Sequence, residues 1–301
     1  MQIANPIYDT VFKYMMHDSK IAKIILSAII GEKIIDLDFS ATETPLVLKK
    51  GVKKKNRVLE QITVCRIDFR AKIETPDGYK SVMIELQKAK LATDIMRFRK
   101  YLGVMYQSKD NTYKQDKGKT KEKARQIYCI YFLNYEIGLS DNPILKVDYT
   151  ATDHTTGEQL PTESDFIKSL NHKSWIIQVR QLKGKRRNDL ENLLSIFDQS
   201  NITNDNQVLS IDESQYPEAY KMVIRKLQEA YASEEVRNEM QIEDDFLNEL
   251  LDRDELIAKQ EDELTKQAEE ITKKDEENRK QAEELTKQAE EIAELKRLLG
   301  K

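Results

Sequence analysis

The sequence predicts an α/β protein that carries a long charged helix at its C-terminus. Three observations predict it: apolar residues at helical spacing on both sides of an alternating segment, one strong turn inside that segment, and a 21-residue repeat in the tail.

The elements follow in chain order. After Asn5-Pro6, apolar residues recur at three- and four-residue spacing from Ile7, Val11 and Phe12 to Ile21, Ile24, Ile25, Ala28 and Ile29, and Gly31 stops the helix. Residues 34–48 read as extended chain. A charged loop, Lys49–Arg57, has six basic residues in nine, among them Lys53, Lys54 and Lys55. Residues 58–73 and 80–87 alternate as strands do. Between them Thr75-Pro76-Asp77-Gly78 is a turn, because proline presets its φ and glycine accepts positive φ. Helical spacing returns over 91–109, with Ile95, Phe98, Leu102 and Met105 on one side. A basic loop, Lys114–Arg125, leads to the apolar run Ile127–Leu133, which reads as a buried strand. Beyond Tyr135 the pattern weakens. Residues 175–182 read as a strand, 188–197 and 216–232 as helices, and nothing local says how they assemble. The expected organisation is a core over 1–135, a mixed extension over 136–233 that completes or packs on it, and a charged helix or coiled coil over 234–301.

In the tail, Glu263–Ile271 recurs as Glu284–Ile292, an offset of three heptads. Ile257, Leu264, Ile271, Leu285, Ile292 and Leu299 form a seven-residue stripe interrupted by Asn278. The alternate seam carries Ala268, Ala282 and Ala289, but also Glu261, Asp275 and Lys296. Strict heptads predict a left-handed coiled coil, in which a polar seam residue fixes register at a cost in stability. Residues 242–299 would make a rod of roughly 85–90 Å. A homo-oligomer assembled through this coil is expected; a lone helix stabilised by Glu–Lys pairs is the alternative.

Composition narrows the function classes. The formal net charge is −4, but residues 234–301 hold 23 acids and 12 bases, leaving residues 1–233 with 37 bases and 30 acids. A basic body suits a polyanionic partner, and equally suits ordinary solubility. Two cysteines, Cys65 and Cys129, both in apolar stretches, argue against a disulfide framework or a Cys-ligated zinc. No stretch reaches the ~20 apolar residues of a membrane span, and no export signal is visible at the N-terminus. A cytoplasmic protein without membrane contact is expected.

The chemistry-bearing stretch is the hairpin. Ile67, Phe69, Ala71 and Ile73 share one face of the first strand, and Val82, Ile84 and Leu86 one face of the second. Aligning the two apolar faces about the Pro76–Asp77 midpoint sets Ala71 against Val82, Phe69 against Ile84 and Ile67 against Leu86. The same register puts Asp68 opposite Glu85 on the other face. Two carboxylates ~5 Å apart repel by on the order of 3 kcal/mol at an effective dielectric of ~20, and a divalent cation between them reverses the sign. Gln87 follows on the same face. Two alternatives stay open at this point: Arg66 or Arg70 neutralises the acids, or a bulge at Gly78 shifts the pairing.

Asn5-Pro6, Asp9-x-x-Phe12-Lys13, Ile67-Asp68, Ile84-Glu85-Leu86-Gln87, Arg97, Tyr101, Tyr106 and Ile127–Leu133 stand in an order and spacing that resembles the recombination-promoting nuclease/putative transposase family. That family belongs to the PD-(D/E)xK nuclease superfamily. The resemblance spans about residues 5–135 and continues more loosely through Ser233–Asp245. It implies a restriction-endonuclease-like mixed sheet flanked by helices, with Asp68 and Glu85 holding Mg2+ or Mn2+. It also implies Gln87 in the position of the usual lysine and Asp9 as an additional acidic member. The expected activity is metal-dependent hydrolysis of DNA phosphodiester bonds, in recombination or mobile-element biology. Arg97, Lys13 and the Lys53-Lys54-Lys55 cluster are the candidates for phosphate contact. The alternative is a nuclease-like module that binds DNA without cutting it, assembled through the coil.

Overall fold

Pro76 and Asp77 form the two-residue loop of a hairpin whose strands pair in the register that the apolar pattern dictates: Thr75 against Gly78, Ala71 against Val82, Phe69 against Ile84. Gly78 takes φ 104°, a region that other residues rarely enter. The structure, a computed structural model, describes residues 1–39, 43–46, 63–66, 69–88, 90, 94–114, 122–162, 164–298 and 300. It divides into two units, Met1–Asp245 and Phe246–Lys301.

The first unit is built on a six-stranded mixed sheet. In chain order its elements are α1 (Asp9–Met16), α2 (Ser19–Ile30), β1 (Asp36–Phe39), β2 (Phe69–Thr75), β3 (Gly78–Gln87), α3 (Asp94–Gln107), β4 (Gln126–Leu133), β5 (Ile144–Val147), α4 (Asp165–Leu170), β6 (His172–Gln178), α5 (Asp189–Leu194), α6 (Glu218–Ala232) and the start of α7 (Glu234–Leu298). The strand order is β5-β6-β4-β3-β2-β1. The central strands β3, β4 and β6 run parallel, and β1, β2 and β5 pair antiparallel.

Parallel strands need both faces covered, and both are. On one face Phe69, Ala71, Ile73, Val82, Ile84 and Leu86 join the main core with α1, α2, α5, α6 and Val236 and Met240 of α7. On the other face a smaller cluster joins Met83, Ile127 and Cys129 to Tyr101 and Met105 of α3.

Several local expectations are met and others are corrected. The pattern read as one helix over residues 7–29 is two helices. Asp18 breaks it, its carboxylate accepting hydrogen bonds from the Lys20 and Ile21 amides to cap α2, and Gly31 ends α2 at φ 78°. The basic loop Lys114–Arg125 contains a short strand, Glu122–Ala124, paired with Thr112–Lys114. The strand expected over 175–182 begins earlier, at His172, and gives way after Gln178 to a 3-10 turn. Segment 136–233 contributes β5 and β6 to the same sheet as segment 1–135, and residues 234–245 belong with this unit. Ile67, Asp68 and the loop Lys49–Arg57 lie outside the described residues.

The second unit is the remainder of α7. Ile257, Leu264, Ile271, Leu285 and Ile292 are each more than half exposed, so the stripe runs unburied along the helix; Leu299 lies outside the described residues. Pairs such as Glu255–Lys259 and Asp262–Lys266 sit at i,i+4 with the acid N-terminal, the favourable order. Among the described residues no helix is long and apolar enough to cross a membrane.

Candidate functional site

Glu85 lies near the carboxyl end of β3, between Ile84 and Leu86. Those two face the main core, so Glu85 shares the opposite face with Met83, under α3. It is 1% exposed. In the parallel register it stands beside Tyr131 of β4. Gln87 follows on the same face, also buried, and its carbonyl accepts a hydrogen bond from the Asn134 amide. The last described pair of the hairpin is Phe69 with Ile84; the expected pairing of Asp68 with Glu85 lies outside the described residues.

The surroundings are apolar and aromatic. Burial pushes the Cys129 thiol up to about 12, and the Glu85 charge adds to the effect. Burial likewise raises the Tyr131 phenol, with Cys129 and Glu85 contributing. Cys129 is fully buried in the small cluster with Met83, Ile127, Tyr101 and Met105. Tyr131 packs against Phe98 of α3 with ring centroids 5.1 Å apart and the planes tilted by 46°, and the Arg97 guanidinium lies 5.6 Å from the Phe98 ring centroid. Arg97 thus belongs to the helix that covers the Glu85 face. Arg70, paired with Met83 and therefore diagonal to Glu85 on that face, is buried as well. Burial lowers its pKa, against the opposing charge of Asp110. Tyr101 packs in the small cluster, whereas Tyr106 is partly exposed with its hydroxyl 3.1 Å from His172 Nδ1.

Asp9 begins α1, on the main-core side. Its carboxylate pairs with Lys13 at 2.5 Å, and the Asp9 and Thr10 amides donate to the Glu243 carboxylate at 2.9 and 2.7 Å. The structure brings Glu85, Gln87, Arg70 and α3 to one face of the sheet, and Asp9 with Lys13 to the helix layer on the other. Lys53, Lys54 and Lys55 lie outside the described residues.

One polar cluster was not legible in the sequence. Lys88 follows Gln87 and turns to the main-core side, where its ammonium donates to Asp244 Oδ1 at 2.6 Å and sits 3.4 Å from the Tyr8 ring centroid. The Tyr8 hydroxyl and Gln207 amide donate to the same carboxylate. Burial opposes ionisation of Asp244, but these bonds outweigh it and hold its pKa below the usual range. The partners are remote in sequence, and only the acidic run Glu243-Asp244-Asp245 hinted that the tail's start differs from the rest.

A cleft of about 290 Å³, lined by Tyr79, Tyr113, Lys123 and Phe166 among others, lies at the opposite end of β3 and does not house Glu85. Among the described residues no three His, Cys, Asp or Glu side chains stand together as a ligand set. Magnesium asks less of the protein: one or two carboxylates, with water and phosphate oxygens completing the octahedron. Glu85 and Gln87 are oxygen-bearing side chains of the face under α3, two residues apart on β3, and both are buried. Set against protein-family models, curated proteins and solved structures, the chain matches none.

Proposed function

We propose that this protein is a divalent-metal-dependent DNA endonuclease of the PD-(D/E)xK kind, with a restriction-endonuclease-like sheet. The observation that carries the reading is the hairpin register, which sets a fully buried Glu85 and then Gln87 on the sheet face away from the main core, at the carboxyl end of a central strand. Glu85, together with Asp68, would hold magnesium or manganese. When bound, the ion acidifies its water and stabilises charge on the scissile phosphate. Gln87 takes no proton from water and instead orients it by hydrogen bonding. Arg97 on α3 and Lys53–Lys55 would contact the DNA backbone, whereas Asp9 and Lys13, ion-paired to each other in the helix layer on the opposite face, are left out of this site.

Plasmid nicking across a panel of divalent metals tests this. The wild type should relax supercoiled DNA with magnesium or manganese, and Glu85→Gln or Asp68→Ala should abolish it. Wild-type protein inactive with every metal and DNA form sinks the reading.

The buried Arg70 beside Glu85 favours a second reading, in which the guanidinium supplies the compensating charge and the body grips DNA without cutting. In that case the wild type shows no metal-dependent nicking, while Asp68→Ala and Glu85→Gln keep their DNA affinity.

A further inference from the structure

We infer that residues 257–296 of α7 pair with a second copy of this chain as an antiparallel coiled coil, in a register whose two-fold axis passes between Glu276 and Glu277. This rests on the second unit alone and is independent of the nuclease reading.

The helix leaves its apolar stripe unburied, and strictly heptad spacing suits a helical partner of the same repeat. The alternate seam selects the orientation. Side by side and in register, a parallel pair sets Glu261, Asp275 and Lys296 each against its own copy, three like-charge layers within one seam. In an antiparallel pair each residue of one seam meets the other seam of the partner. Centred between 276 and 277, this arrangement layers Ala268 with Leu285, Ala282 with Ile271 and Ala289 with Leu264, each a small side chain against a large one. It also layers Asp275 of the alternate seam with Asn278 of the stripe, so the two polar residues nearest the axis fall on each other. At the ends Glu261 layers with Ile292 and Lys296 with Ile257, and these two opposite charges lie one layer apart across the seam. Sliding the pair by one heptad either way sets Asp275 against Leu285 or Ile271 and Asn278 against an alanine, which leaves the polar groups facing apolar ones. The contact is isologous, so it closes at two chains.

Disulfide trapping in the full chain tests the orientation, with each cross-link assigned by peptide mass so that Cys65 and Cys129 need not be removed. In the antiparallel register, positions 268 of the two chains are separated by seventeen residues of rise, about 25 Å, far beyond the ~7 Å reach of a disulfide. Ala268→Cys alone should therefore give no 268–268 link, and Ala268→Cys with Leu285→Cys should give a 268–285 link between chains. If the second pair loses helix content by circular dichroism, Leu264→Cys with Ala289→Cys replaces it. Light scattering should report a dimer that Ile271→Asp converts to monomer. A 268–268 disulfide, or a wild-type monomer at the concentration of the trapping reaction, overturns the inference.

Discussion

The Lys88 ammonium meets Asp244 Oδ1 at 2.6 Å across 156 positions of sequence, and lies over the Tyr8 ring at 3.4 Å. This contact joins the residue after Gln87 to the first turns of α7. It fixes the end of β3 from the main-core side while Glu85 and Gln87 face the other way.

Asp244→Ala should destabilise the first unit by about 2 kcal/mol. It leaves a partly buried ammonium and the Tyr8 hydroxyl without their shared acceptor. Urea denaturation checks this; a change within ~0.5 kcal/mol would show the contact to be energetically idle.

Glu243 gives a pH dependence of opposite sign to most carboxylates. Burial lifts its pKa to about 7 despite the amides of Thr10 and Asp9, and the Asp9 charge adds to the rise. The folded state then binds a proton that the unfolded chain, at the ordinary 4.5, does not. Stability from this group therefore grows as pH falls from about 7 to about 4.5 and levels off below. Relative to Glu243→Gln, the wild type should gain on the order of 2 kcal/mol between pH 8 and pH 5. Thermal or urea denaturation of both proteins at the two pH values reads it. A constant difference would contradict it.

Lys80 is buried next to the turn of the hairpin, donating to Glu32 and Thr75 at 2.6 Å each. Burial opposes the Glu32 charge, but Lys80, Thr75 and Tyr128 outweigh it and lower its pKa. That stability is present above the ordinary 4.5 and is lost as pH falls through the lowered value. Glu32→Ala leaves the buried ammonium with Thr75 and with Asp77 at 3.6 Å, and should cost on the order of 2 kcal/mol at pH 7, less at pH 3, by denaturant titration.

Under the proposed function, Gln87→Ala removes the group that would orient water and should slow nicking about 10- to 100-fold while changing the free energy of unfolding in urea by no more than ~1 kcal/mol. Unchanged nicking rates would take Gln87 out of the chemistry.

Local physics accounts for what was legible. Period-two alternation and the Pro76-Asp77 loop involve neighbouring residues, so the pairing of Phe69 with Ile84 follows from the sequence. Gly31 as a helix stop, the burial of Ile127–Leu133 and the seven-residue stripe follow for the same reason. Tertiary structure decided the rest. Whether His172–Gln178 joins β4 in parallel depends on closing a long loop, and its half-matching pattern fits several places equally. That Glu85 is wholly buried, that Arg70 shares its face, and that Lys88 reaches Asp244 are outcomes of packing between remote segments, for which no periodicity exists.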